Sequence, residues 1–205
     1  MDNDRTQYEK FYQSDDYYWG TEPADFLERL IKLKAPAPGI KVLDIGCGEG
    51  KDAVYMAAKG YSVTAFDLTV SGIEKTGRLA AANHVSINAY VDDINTFRTD
   101  ERFDIIYSSG TLQYLQPEKI PGFFEKVFQM TAPHGLHYFN VFVAKPFIPD
   151  APDWDKEESL WKTGELFRYY GDWKIHYIDE TIFKCSSSSL PHYHCMDTIL
   201  AEKML

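Results

Sequence analysis

From residue 40 to residue 143 the chain alternates short apolar runs with amphipathic stretches, and this alternation limits the fold more than any other feature. Residues 41–45 read as a buried strand, a glycine-rich turn follows, and a helix is expected over about 51–59 with Gly60 placed to cap it. Residues 61–66 give a second strand ending at Asp67, and Ser71 and Glu74 have capping-box spacing at the start of the next helix. Strands are expected over 85–91, 103–107 and 136–143, with a helix over about 118–131 that turns Phe124, Val127 and Phe128 inward. Parallel neighbours need long crossovers, so the pattern demands a doubly wound α/β sheet, mostly parallel, with helices on both faces.

After residue 144 the alternation stops. An insertion bearing Trp154 and Trp161 covers about 145–162, and a short helix is expected near 163–170. Strands over about 173–183 and 192–203 then follow, joined by a loop too short for a helical crossover. They are expected to pair antiparallel, which makes the last strand of the sheet antiparallel. Upstream, Phe11, Tyr12, Tyr17, Tyr18 and Trp19 crowd together. Thr21 is then an expected N-cap and Pro23 a first-turn residue of a helix that turns Phe26, Leu27, Leu30, Ile31 and Leu33 to one face. The 205 residues are thus expected to form one domain: an aromatic, helical segment over 1–39, a core over 40–143, and an insertion with closing strands over 144–205.

Charge narrows the partners. With 31 acidic against 21 basic residues the net charge is -10, and no cluster of Lys and Arg offers a grip on a phosphate backbone, so nucleic acid is not expected. No run approaches the roughly 18 apolar residues of a membrane span, and the polar, acidic start is unlike a secretory leader. Cys47, Cys185 and Cys195 are scattered without disulfide or zinc spacing, which suits a reducing cytoplasm. Monomer and homodimer are both compatible with this composition.

The chemistry concentrates at the ends of the expected strands. Asp44 is followed by Ile45, Gly46, Cys47, Gly48, Glu49 and Gly50. Glycines between a strand and a helix let backbone N–H groups approach a ligand at the positive end of a helix dipole. The spacing Gly46-x-Gly48-x-Gly50 departs from the G-x-G-x-x-G of dinucleotide sites, and Asp44 would repel a pyrophosphate but welcome a cationic ligand. Asp67, with Leu68 beside it, ends the second strand where a carboxylate can accept both hydroxyls of a ribose. Asp93 and Ile94 follow the third strand, suited to an exocyclic amine and the face of an adenine; Ser109 and Gly110 form a small-residue turn after the fourth. Open α/β sheets bind ligands in the crevice at these strand ends.

With these motifs in view, the chain resembles the class I S-adenosylmethionine-dependent methyltransferases, which share a Rossmann-like fold. VLDIGCGEG is similar to their first motif, VTAFD to the strand carrying their ribose acid, and DDI to their adenine contact. The resemblance implies S-adenosyl-L-methionine as cofactor, with Gly46 and Gly48 passing under its methionine part, Asp67 on the ribose, Asp93 and Ile94 on the adenine, and Asp44 orienting the amino group through water. Upstream, Tyr18-Trp19-Gly20-Thr21-Glu22-Pro23 resembles the entry segment of tellurite-resistance and thiopurine-type methyltransferases, which closes over the cofactor and would place Trp19 there. The stretch 190–196 resembles the C-terminal region of the tellurite-type enzymes, although the Arg that accompanies their His is absent here.

Methyl transfer from a sulfonium needs proximity, alignment and a dry pocket, and needs a base only if the acceptor must lose a proton. The expected acceptor is a small molecule: a thiol, a heterocycle or a chalcogen oxyanion. Tyr114, just after the fourth strand, is a candidate to face the methyl group, and His192 or His194 to polarise the acceptor or take its proton. His192 and His194 stand at i, i+2, on one face of a strand. With only Cys185 or Cys195 to complete a ligand set, no metal is expected. Two other readings remain open at this point: a non-catalytic module that binds the same cofactor, and a nicotinamide-dependent oxidoreductase, against which the glycine spacing and Asp44 both argue.

Overall fold

A computed structural model describes residues 2–152, 159–185 and 190–205, with side chains from residue 7 onward. Trp154 and the serines at 186–189 lie outside the described residues. The elements are α1 (Asp2–Tyr12), α2 (Phe26–Leu33), β1 (Lys41–Ile45), α3 (Lys51–Ala58), β2 (Ser62–Asp67), α4 (Val70–Ala82), β3 (Asn88–Val91), β4 (Phe103–Ser108), α5 (Ile120–Met130), β5 (Thr131–Phe142), β6 (Lys174–Cys185) and β7 (His192–Glu202). Among the described residues seven strands form one sheet in the order β3-β2-β1-β4-β5-β7-β6. The five on the β3 side of β7 run parallel, and β7 lies antiparallel to both β5 and β6.

The expected α/β sheet is therefore present, Rossmann-like and mostly parallel, with an antiparallel last strand. β1 sits between β2 and β4 and buries four of its five residues, because a central parallel strand has helices over both faces and no polar side to show. On one face Phe26, Leu27 and Leu30 of α2 pack with Ala53 and Met56 of α3 against Val42, Val63 and Ile105. On the other, Phe123, Phe124 and Val127 of α5 pack on Ile106, Phe139 and Trp161. Trp161 is thus a core residue, set edge-on to Phe124. Each such aromatic or aliphatic side chain, withdrawn from water, contributes about 1.5–3 kcal/mol.

Local departures from the expected elements have local causes. β3 begins at Asn88 instead of residue 85, because His84 takes a positive φ of 56° and the N–H of Val85 turns back to the carbonyl of Ala80. β5 begins at Thr131, directly after α5; Thr131 donates to the Val127 carbonyl, and the strand slips in register between Phe103 and Ile105. The expected helix at 163–170 is a 3-10 turn over Leu166–Tyr170. Thr21 does not cap α2: the N–H of Ala24 instead donates to Asp52 at 2.8 Å, and the helix starts at Phe26. Nor do Ser71 and Glu74 form the capping box. The carboxylate of Glu9, on α1, accepts from the N–H groups of Val70 and Ser71 and from the Ser71 hydroxyl, so the negative cap at the N-terminus of α4 comes from a helix the sequence did not announce.

Candidate active site

The parallel strands end together on one edge of the sheet, and there a cavity of about 940 Å³ opens. That volume is near the upper limit of ordinary small-molecule sites, large enough for two ligands side by side. Its wall carries Trp19, Asp44, Gly46, Cys47, Gly48, Asp67, Leu68, Asp93, Ile94, Ser109, Gly110, Tyr114 and His194, residues spread along the chain that the fold brings to one place. Gly50 and His192 stand back from the wall. Gly50 holds the N-cap of α3 at φ 85°, where an added Cβ would lie 2.5 Å from Thr76 Oγ1; its place is in the turn itself.

The loop after β1 is tied down at each step. The N–H groups of Gly46 and Cys47 donate to the Phe66 carbonyl at the end of β2. The N–H of Gly48 donates to Asp67 Oδ2 at 2.8 Å, while Asp67 Oδ1 accepts from the N–H and hydroxyl of Thr69. Gly46 has φ +75°, and a Cβ there would meet Thr111 Oγ1 at 2.2 Å, so both conformation and space require glycine. Beyond β4, Asn140 holds the small-residue turn, accepting from the N–H of Gly110 at 2.8 Å and donating to Ser109 Oγ at 3.0 Å. Asp93 Oδ1 accepts from the backbone and side chain of Asn95, whose side chain also donates to the Tyr114 carbonyl and thereby links the turns after β3 and β4.

The electrostatics are lopsided. Asp44 is almost wholly buried and accepts from the Tyr107 hydroxyl at 2.9 Å. Burial, then the nearby Asp52, raise its carboxyl well above the usual range. Burial also raises Asp67, against its hydrogen bonds from Thr69 and Gly48, and pushes the Cys47 thiol up, helped by Asp44 and Asp67. The floor of the cavity therefore holds carboxyls whose charge the protein itself opposes. A cation lodged there would relieve that cost.

Sequence reasoning missed the group that closes the cavity from above. Lys75 of α4 and Glu49 of the loop form an ion pair at 2.7 Å, with both side chains 1% exposed. Lys75 Nζ also donates to the Asp16 carbonyl and lies over the ring of Tyr17, and the N–H of Trp19 donates to Glu49 Oε2. This pair pins residues 16–19 onto the loop. The indole N–H of Trp19 donates to the Tyr12 hydroxyl at 2.8 Å, and Tyr12 presses on Gly48. Tyr8 of α1 accepts from the Tyr114 hydroxyl at 3.1 Å, so the aromatic segment spans from the glycine loop to the candidate methyl-facing tyrosine. Tyr107, Asn140, Thr111, Phe142, Phe183 and Met196 were also missed; the last three line the cavity beside His194, and simple strand alternation would have found Phe142 and Met196.

A sheet of this order, with a glycine loop after its first strand and acids at the next two strand ends, is the architecture of class I S-adenosylmethionine-dependent methyltransferases. Residues 6–187 match the family described as tellurite resistance protein TehB, and the chain belongs to that family. A probable S-adenosyl-L-methionine-dependent methyltransferase TehB of Haemophilus influenzae is 29% identical over 135 residues, covering 66% of this chain and 46% of the relative. Hemagglutinin 1 of Eikenella corrodens is 27% identical over 156 residues, 76% of this chain and 50% of the relative. The chain thus spans about half the length of these curated relatives. The crystal structure of TehB from Haemophilus influenzae superposes with a TM-score of 0.78 at 23% identity, covering 97% of this chain and 66% of that one.

Proposed function

We propose that this protein binds S-adenosyl-L-methionine in the cavity floor and catalyses transfer of its methyl group to a small-molecule acceptor. The observation that carries the reading is the pair of carboxyls at the glycine loop, Asp44 buried and Asp67 part-buried, with the charge of each opposed by desolvation. A ligand bearing a sulfonium and an ammonium group against one carboxylate is a net cation and matches such a floor, where a pyrophosphate would not. Membership of the TehB family supports the same cofactor. When bound, the cofactor supplies a methyl group on a positively charged sulfur, a good leaving group.

The chain's own residues hold, align and dry the reactants. Gly46 and Gly48 make room under the methionine part, and Asp44 orients its amino group. Asp67 holds the ribose, with Leu68 beside it, and Asp93 with Ile94 holds the adenine. Trp19, fixed by Tyr12 and Glu49, covers the cavity and excludes water. Tyr114 faces the methyl group from the far wall. On the acceptor side Phe142, Phe183 and Met196 form an apolar wall in which His194, backed by His192, polarises the acceptor or takes its proton. A thiol, a heterocycle or a chalcogen oxyanion suits this wall; the net charge of -10 disfavours nucleic acid. We place the activity in the cytoplasm on the cysteine usage of the sequence. Among the described residues no helix is long and apolar enough to cross a membrane.

Calorimetry with S-adenosylmethionine, S-adenosylhomocysteine and NADH tests the cofactor assignment; heat with the two sulfur nucleosides and none with NADH is expected. Binding of NADH alone would refute it. A screen of thiols, purines, oxyanions and amines with labelled methyl donor then identifies the acceptor, and transfer to none of them would reduce the protein to a cofactor-binding module.

A further inference from the structure

The β6–β7 hairpin brings together three soft donors that no step above needs as a set. Register pairs Cys185 of β6 directly with His192 of β7, and opposite residues of an antiparallel pair share a face. His194 lies two residues further along β7, on that same face. One donor atom from each of Cys185, His192 and His194 falls within 4.8 Å of the others. The register also decides between the two cysteines that sequence left equal: Cys195 points to the opposite face and packs into the core at 2% exposure.

His192 is already presented as a ligand would be, and a bound metal would replace the proton that His194 Nε2 now shares with it. Nδ1 of His192 lies 2.9 Å from the Leu190 carbonyl, which can only accept, so Nδ1 carries the proton and neutral His192 offers the lone pair of Nε2. A backbone carbonyl on the second ring nitrogen is the usual support of a metal-bound imidazole. His194 Nε2 is 2.8 Å from His192 Nε2, with the two rings perpendicular, and the His194 ring is held between Phe142 and Phe183. Tetrahedral zinc, with bonds of about 2.0–2.1 Å to nitrogen and 2.3 Å to sulfur, sets its donors roughly 3.3–3.6 Å apart. Side-chain rotation at the two part-exposed positions, Cys185 and His192, about the buried His194 brings the observed cluster to those separations.

We propose that Cys185, His192 and His194 bind a soft divalent transition-metal ion, zinc foremost, at the acceptor side of the cavity. Three protein donors leave a fourth position open, the pattern of catalytic and not of structural zinc. Cys185 and His194 are on the cavity wall, so that position faces the cavity and accepts an exogenous soft donor, a thiolate foremost. The metal site stands on the hairpin alone; that its open position holds the methyl acceptor rests on the function proposed above.

The test uses the full chain, stripped with a chelator and titrated first with Co²⁺ and then with Zn²⁺. One equivalent of cobalt is expected, with a near-ultraviolet thiolate-to-cobalt charge-transfer band that zinc abolishes. Cys185→Ser removes the band, and His194→Ala weakens zinc binding by more than the roughly 10- to 100-fold that loss of a supporting group costs. In the unaltered protein zinc protects Cys185 from iodoacetamide, read by peptide mass spectrometry, which keeps the proposal testable should either variant fail to fold. Absence of stoichiometric metal, uptake unchanged in both variants, or alkylation of Cys185 indifferent to zinc would each overturn it. Loss of S-adenosylhomocysteine binding in a protein that still titrates with zinc would sink the methyl-transfer reading and leave the metal site standing.

Discussion

Removal of the Lys75 ammonium is the most incisive test of how the cavity is closed. Lys75→Met keeps the length of the side chain and the helix propensity of its site in α4, so the change isolates the charge. At 2.7 Å the Glu49–Lys75 attraction is about 6 kcal/mol with an effective dielectric constant of ~20. Withdrawing two ions from water costs several kcal/mol each, so the pair as a whole contributes little net stability. Its single removal is different. Glu49 would remain buried with its partner gone, which costs about 3–5 kcal/mol. Lys75→Met is therefore expected to lower the free energy of urea unfolding by that amount, or to release residues 16–19, read as faster hydrogen exchange of the Trp19 backbone N–H that Glu49 holds. The double variant Glu49→Gln/Lys75→Met removes both charges and is expected to recover most of the loss, giving a large favourable coupling in the double-mutant cycle. A cost below about 1 kcal/mol for Lys75→Met with exchange of the Trp19 N–H unchanged, or strict additivity of the two changes, would refute the argument that this pair pins the aromatic segment.

Three further outcomes are expected. Gly46→Ala forces a Cβ into Thr111 at 2.2 Å and into a backbone region costing about 1–2 kcal/mol, so affinity for S-adenosylhomocysteine should fall at least about 10-fold by calorimetry, and unchanged affinity would place the ligand elsewhere. Asp44 binds its proton more tightly folded than unfolded; its contribution is full below about pH 3.9 and is lost as pH rises through the folded value, so Asp44→Asn should raise the urea midpoint at pH 7 while weakening cofactor binding about 10-fold or more. His137 is buried between Thr131 and Tyr170 and held neutral by that burial, so the folded state loses stability as pH falls below about 6.5, by up to about 1.4 kcal/mol per pH unit; His137→Gln should flatten that slope in pH-dependent urea melts.

What the sequence made legible follows from what local patterns encode. The core of the sheet could be read because β1, β2 and β4 each carry a run of apolar residues bounded by polar ones and the intervening helices keep a regular period; the glycine loop could be read because its conformation excludes other residues. Asp44, Asp67 and Asp93 needed only the rule that parallel strands end on one side. Helix α1 was not legible, since its first turns are polar and Tyr8, Phe11 and Tyr12 give only one turn of helical spacing at its end, too little to mark a helix. Its place is fixed from outside, by Glu9 capping α4 and by the ring contacts of Tyr8 and Tyr12 with Trp19.

The Glu49–Lys75 pair was hidden, and the choice between Cys185 and Cys195 beside His192 and His194 left open, for one shared reason. Each depends on side chains of opposed or complementary chemistry meeting across elements, 26 residues apart in sequence for the first, and nothing in spacing along the chain records such a meeting. The hairpin came closest to being readable. Once β6 and β7 were taken as antiparallel partners, a register one residue different would have turned Cys185 away from His192 and brought a neighbour of opposite orientation into its place. The pairing of Phe183 with His194 turns one face of β7 toward the cavity while Cys195 on the other packs into the core, and that partition puts His194 and Cys185 at the acceptor wall with His192 beside them. Burial of Cys195 and Ile199 on the core face thus selects, through the pleat, which chemistry the opposite face can offer.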